Sequence, residues 1–129
     1  NHPVKELIWT NQVSNNYGTA KLKLNGHDRF AARHWTYFCK VQVSDYHSGG
    51  SGLLGVDPEN KPCNPVLAIC VYSFALKPEE HQPSGTCNFS RIDNAQLIGS
   101  TGTTPDTIYA VNYNVLRIMS GMGGLAYSN

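Results

Sequence analysis

The stretch Val66 to Leu76 (VLAICVYSFAL) constrains the fold more than any other part of the chain. Odd and even positions alike are apolar through Val71, Ser73 interrupts the run, and Pro65 and Pro78 flank it. Such a run is a β-strand covered on both faces. It is too short for a membrane-crossing helix, which takes about 20 apolar residues, and no longer apolar run occurs. The remaining segments are cut to strand length by Gly, Pro and Asn. Ala20 to Leu24 alternates, with Leu22 and Leu24 on one face and Lys21 and Lys23 on the other, and Asn25-Gly26 then supplies a hairpin turn.

Val4 to Gln12 carries Val4, Ile8 and Trp9 in a β-favouring context and ends in the turn-rich Ser14 to Gly18. Cys87 to Ile98 is expected to be one strand. Phe89, Arg91, Asp93, Ala95 and Leu97 would point one way along it, and Asn88, Ser90, Ile92, Asn94, Gln96 and Ile98 the other. Thr107 to Met119 aligns Tyr109, Val111, Tyr113 and Val115 on one face, whereas Ser120 to Asn129 is too glycine-rich for a strand interior. Phe30 to Tyr46 reads both ways: His34 to Cys39 is strand-like by residue type, but Phe30, Arg33, Tyr37 and Val41 sit at helical spacing. Ser48 to Pro65, Lys77 to Thr86 and Gly99 to Asp106 read as loops. Five or so strands with no long helix predict an all-β, antiparallel sandwich or barrel with long loops, one domain over residues 1–129. With neither Met nor a signal-peptide pattern at its start, the sequence reads as a fragment of a longer chain, cut at Asn1-His2-Pro3.

A net charge of +1 leaves no basic excess for direct nucleic-acid binding. Charged residues are only 15%, with Gly, Asn, Ser and Thr in their place, as in surfaces that meet other protein. The four cysteines (Cys39, Cys63, Cys70, Cys87) allow two disulfides in three connectivities. Cys70 in the most apolar segment and Cys39 beside Phe38 favour reduced, buried thiols and assembly in a reducing compartment.

Catalytic chemistry finds little support. The five histidines (His2, His27, His34, His47, His81) are scattered among polar loops, and Cys63 and Cys70 have no second pair at zinc-site spacing. Glu79-Glu80-His81 sits between prolines in a solvated loop, and Ser51 lacks the final glycine of a nucleophile elbow. Ser120-Gly-Met-Gly-Gly lacks the lysine of a phosphate-cradling loop. Asn88-Phe89-Ser90 is a formal glycosylation sequon that matters only in a secretory chain, and Arg91 and Asp93 read as a local polar pair at a strand edge. No residue is assigned as catalytic, cofactor-binding or metal-binding, and no cofactor is expected.

The words of the sequence go further than its spacing. His2 to Trp9 (HPVKELIW), Leu24 to Phe30 (LNGHDRF), Tyr72 to Asn94 (YSFALKPEEHQPSGTCNFSRIDN) and Asn112 to Asn129 (NYNVLRIMSGMGGLAYSN) occur in that order. Together they resemble the major capsid proteins of nucleocytoplasmic large DNA viruses, of the iridovirus and phycodnavirus kind.

The resemblance implies a double jelly-roll protein, of which this chain is most of the second jelly roll, without its opening strand or strands. It further implies a structural, non-enzymatic protein that self-assembles as a homotrimer. Such a trimer is a pseudo-hexameric capsomer, and capsomers meet one another and minor capsid proteins in an icosahedral shell. The expected place is the virion capsid, assembled in the host cytoplasm. Ser48 to Pro65 is expected to be a virion-surface loop, with Gly121, Gly123 and Gly124 letting the C-terminus turn and dock against the sandwich or a neighbour through Leu125 and Tyr127. Two other functions share such a fold. A carbohydrate-binding module would use Trp9, Trp35 and the tyrosines, and a cupin-like enzyme would need clustered histidines that the spacing does not offer.

Overall fold

The computed structural model describes residues 2–10, 18–49, 69–100, 105 and 107–127. The turn at Ser14 to Tyr17, the residues Ser51 and Cys63, and most of the Ser48 to Pro65 and Gly99 to Asp106 loops lie outside the described residues.

Strand β1 (Pro3–Thr10) is the axis of the first sheet. One of its edges pairs antiparallel with β5 (Ile69–Ser73) and then β6 (Cys87–Asn88). The other pairs with β8 (Ile108–Asn112). A register shift between Val4 and Glu6 interrupts the β1–β8 ladder. This bulge lets Val4, Leu7 and Trp9 all enter the core although Val4 and Leu7 are three residues apart. Plain alternation from Val4 would have put Glu6, not Leu7, inside.

The second sheet is built on β2 (Thr19–Leu24). It pairs with β7 (Ala95–Gly99) along one edge, and with β3 (His27–Asp28) and β4 (Arg33–His34) along the other. Asn25 and Gly26 close the β2–β3 hairpin with φ of 51° and 80°, the paired left-handed conformations that an Asn-Gly turn adopts. The sheets face each other through Leu22 and the inner residues of β1, and the core continues into Trp35, Phe38, Cys39 and Cys70. Rings pack in series through this region, from Trp9 to Phe38, Phe30, Tyr72, Phe74 and Phe89, with centroids 4.9–6.0 Å apart.

The ambiguous Phe30 to Tyr46 segment uses both of its readings. Arg33 and His34 form a short strand, and a π-helical turn (Tyr37–Val41) then leads into α1 (Gln42–Tyr46). Phe38 and Cys39 point into the core, and the buried Gln42 reaches the edge of β5, where its Oε1 accepts the Ser73 N–H at 3.1 Å. The helix thereby covers an edge that would otherwise be open for pairing. The expectation for β5 holds over the described part: Cys70 is buried toward one face and Val71 toward the other.

Three expectations require correction. Cys87 to Ile98 is not one strand. The Asn88 side chain accepts the Ser90 N–H at 3.0 Å and starts a 3₁₀ turn (Phe89–Arg91), so pairing resumes only at Ala95. Arg91 and Asp93 therefore share no strand face. Thr107 to Met119 is likewise two strands, β8 and β9 (Leu116–Met119): the Tyr113 N–H still donates to Pro3 O at 3.0 Å, but pairing to β1 ends there and the Asn114 Oδ1 accepts the Val115 N–H at 2.7 Å. Finally, the glycine-rich tail does hold a strand. β10 (Met122–Leu125) pairs with β9 through a turn at Ser120 and Gly121, which have φ of 50° and 75°. Glycine in its interior is tolerated because each residue is tied to β9, Gly123 opposite Ile118 and Gly124 opposite Arg117.

Cys39, Cys70 and Cys87 are free thiols, the first two buried. The hydrogen bond to Cys39 and its own burial push the Cys70 thiol far above its ordinary pKa, so it packs as a neutral group.

Candidate functional site

The first place where polar chemistry converges is a tie between β1, the end of α1 and the loop after β5. Glu6 leaves the outer side of the β1 bulge and is buried, and His47 follows α1 directly. The imidazole lies between two carboxylates, with Nε2 2.8 Å from Glu6 Oε2 and Nδ1 3.2 Å from Glu79 Oε1. Glu79 is held further by Ser48, whose N–H donates to Oε1 at 2.9 Å and whose hydroxyl donates to Oε2 at 2.8 Å. These Ser48 bonds, and after them His47, keep the Glu79 carboxyl below the usual carboxylate range.

The loop is rigid for local reasons. Pro78 is fully buried, and the Lys77 N–H donates to Ser84 Oγ at 2.8 Å. Gly85, at φ of 145°, lets the backbone pass so close to Phe74 that a Cβ there would meet its carbonyl oxygen at 2.8 Å. The cluster fastens one loop to the sandwich. Its one hydroxyl, Ser48 Oγ, donates to Glu79, and both ring nitrogens of His47 face carboxylates; among the described residues no group of three or more His, Cys, Asp or Glu could hold a metal ion.

The other weighed residues fall apart in space. Glu80 turns to Lys77 at 3.5 Å, while His27 and His34 lie on exposed short strands. His2 packs on Tyr127, and Asn88 is engaged in its own turn. Trp9 and Trp35 are buried, which removes the two tryptophans a sugar-stacking surface would have used.

What remains is apolar surface. Between the sheets lies an apolar cleft of about 200 Å³, floored by Leu7, Trp9 and Leu22 and walled by residues of β7 and β8. Among the described residues, the outer edges of β7 and β8 on either side of it have no strand partner. The β9–β10 hairpin beyond them is exposed and largely apolar. Sequence reasoning missed the hairpin by treating glycine as a strand breaker. The Ser120-Gly121 dipeptide, a turn signal, was the available one.

The described residues thus form an open-edged antiparallel sandwich with an exposed apolar hairpin. Comparison with known proteins identifies which kind. The family described as large eukaryotic DNA virus major capsid protein matches residues 15–124, and the chain belongs to that family. The major capsid protein of Pyramimonas orientalis virus is 52% identical over 148 aligned residues, which take in all of this chain and 37% of that relative. That of Paramecium bursaria Chlorella virus 1 is 49% identical over 86% of this chain and 28% of its own length.

Among solved structures, a capsid protein of the same Chlorella virus, fitted into a reconstruction of the virophage Sputnik, superposes with a TM-score of 0.73. The two are 36% identical, and the match spans all of this chain and 44% of that one. That neighbour is a double jelly roll, so the sandwich described above is of jelly-roll type. The relatives are named as capsid proteins, structural rather than enzymatic. The chain spans well under half the length of the relatives it matches.

Proposed function

We propose that this chain is the C-terminal jelly roll of a major capsid protein that trimerises into pseudo-hexameric capsomers and, with minor capsid proteins, closes an icosahedral shell in the host cytoplasm. The observation that carries this reading is that, among the described residues, the edges of β7 and β8 flanking one apolar cleft have no strand partner. Each sheet of the described sandwich can take a further strand on that side. The opening strands of the second jelly roll, supplied by the preceding polypeptide, are the elements of the right kind. Residues 1–129 then form a single domain completed from upstream, with no catalytic, cofactor or metal site.

Self-association suits the surface: net charge is +1 and charged residues are sparse, so subunits pack without large like-charge repulsion or desolvation of many ions. The Ser48 to Pro65 loop would be displayed on the outer surface of the shell. The test is a reconstruction of purified particles at side-chain resolution. The expected result places this segment in the capsomer, with upstream strands paired to β7 and β8. Particles whose capsomers lack the segment would overturn the proposal.

A further inference from the structure

We infer that one face of the C-terminal hairpin, formed by Leu116, Ile118 and Leu125 around the bare backbone of Gly123, is a docking face for the polypeptide preceding this segment in the same subunit. The inference rests on the capsid reading, because it requires the longer chain.

Register defines the face. Leu125 pairs with Leu116 and Gly123 with Ile118, and opposed residues of an antiparallel pair project to the same side. The opposite side carries Arg117, Met119 and Met122. The five large apolar side chains of the hairpin are between 54% and 74% exposed. A two-stranded hairpin with this much apolar surface in water is marginal by itself, so it requires a cover. Gly123 adds a shape: nothing lies within 4 Å of where its Cβ would be, leaving a notch beside Ile118 into which another chain can seat.

The base of the hairpin says which chain is closest to hand. It is fastened to the beginning of the described segment, where the Tyr113 N–H donates to Pro3 O and the His2 and Tyr127 rings stand 5.8 Å apart. The Asn114 side chain locks the two ends of the hairpin together, its Nδ2 donating to Tyr127 O at 3.0 Å. Polypeptide arriving at His2 therefore arrives beside the hairpin. More than half of the matched relatives' length lies outside the match. A tethered partner is present at an effective concentration of the order of mM, which favours it over a second copy that must first be recruited.

Two measurements on the full-length protein test this. In the first, Ile118 is replaced by the photo-crosslinker benzoyl-phenylalanine and the protein is irradiated. The expected product migrates as one subunit, maps to peptides upstream of this segment, and exceeds the two-subunit product about tenfold. A predominantly two-subunit product, a crosslink to another protein, or no crosslink would overturn the inference.

The second measurement is the melting temperature of Gly123→Val. On an uncovered hairpin the substitution meets no atoms and improves β propensity, so Tm would hold or rise. Filling a notch occupied by upstream chain lowers Tm by several degrees, which is the expected result. If trimers form but the crosslinks run between subunits, this inference falls and the capsid reading stands. If the full-length protein never leaves the monomer, the capsid reading falls, and the crosslink still reports what covers the hairpin.

Discussion

Asn25 reaches from the β2–β3 turn to the entry of β7, where its Oδ1 accepts the Asp93 N–H at 2.9 Å. The same oxygen takes the Asn94 N–H at 3.3 Å, and the Asn25 N–H donates to Asn94 O at 2.8 Å. One residue thus sets a left-handed turn and the register of the neighbouring strand β7. Asn25→Ala loses these side-chain bonds, and with them the one Nδ2 donates to Arg91 O at 3.4 Å, and puts an ordinary residue at φ of 51°. The expected loss is about 2–3 kcal/mol in urea unfolding of the full-length protein. Asn25→Gly, which relieves only the backbone cost, should lose less.

Glu6 is buried against His47, so removing the imidazole leaves a carboxylate without its 2.8 Å partner. His47→Ala should destabilise the protein by about 1.5–3 kcal/mol at neutral pH. The double variant Glu6→Gln with His47→Ala should recover part of the loss, because no charge is then stranded. Thermal unfolding of the two variants side by side checks this.

Glu79 sets a pH dependence on the acid side. Its carboxyl is held below the usual range in the folded state, chiefly by Ser48, so the charged form binds more tightly folded than unfolded. That contribution is fully present above the unfolded carboxylate value and is lost as pH falls through the lower folded one. Between about pH 5 and pH 3 the native protein should lose stability more steeply than Glu79→Gln. Parallel melting curves across that interval measure the difference.

Gly85 is a backbone position that cannot accept a side chain without strain. A Cβ would meet Phe74 O at 2.8 Å in a conformation that already disfavours L residues. Gly85→Ala should cost about 1–3 kcal/mol and release the 74–84 loop. Faster amide exchange at Lys77, whose N–H is bonded to Ser84, would report the release.

Residues 1–129 produced alone should aggregate. The open edges of β7 and β8, the apolar cleft and the exposed hairpin all present surface that a complete subunit would cover. Light scattering of the isolated segment against the full-length protein makes the comparison. A clear, monodisperse solution of the segment would contradict it.

The parts of the fold legible in the sequence were those governed by local periodicity and turn chemistry. Leu22 and Leu24 alternated with Lys21 and Lys23, Asn25-Gly26 marked its hairpin, and the doubly apolar run around Cys70 and Val71 announced a covered strand. Of three features that were not legible, a local side-chain bond hid one, and a non-local partner decides the other two. The bulge that admits Leu7 to the core exists only against β8. Asn88 broke a good strand pattern by bonding Ser90, while β10 formed through glycines because β9 lay beside it. The polar tie was hidden for the same reason. Glu6, His47 and Glu79 are far apart in sequence, and nothing about any one of them signals the others. The capsid family itself was legible only in the ordered words of the chain, since spacing led no further than an open sandwich.

The proposed association of subunits in threes is open to native mass spectrometry of the full-length protein. The expected result is a trimer as the dominant species, with this segment's peptides in every subunit. A stable monomer at assembly concentrations would contradict it.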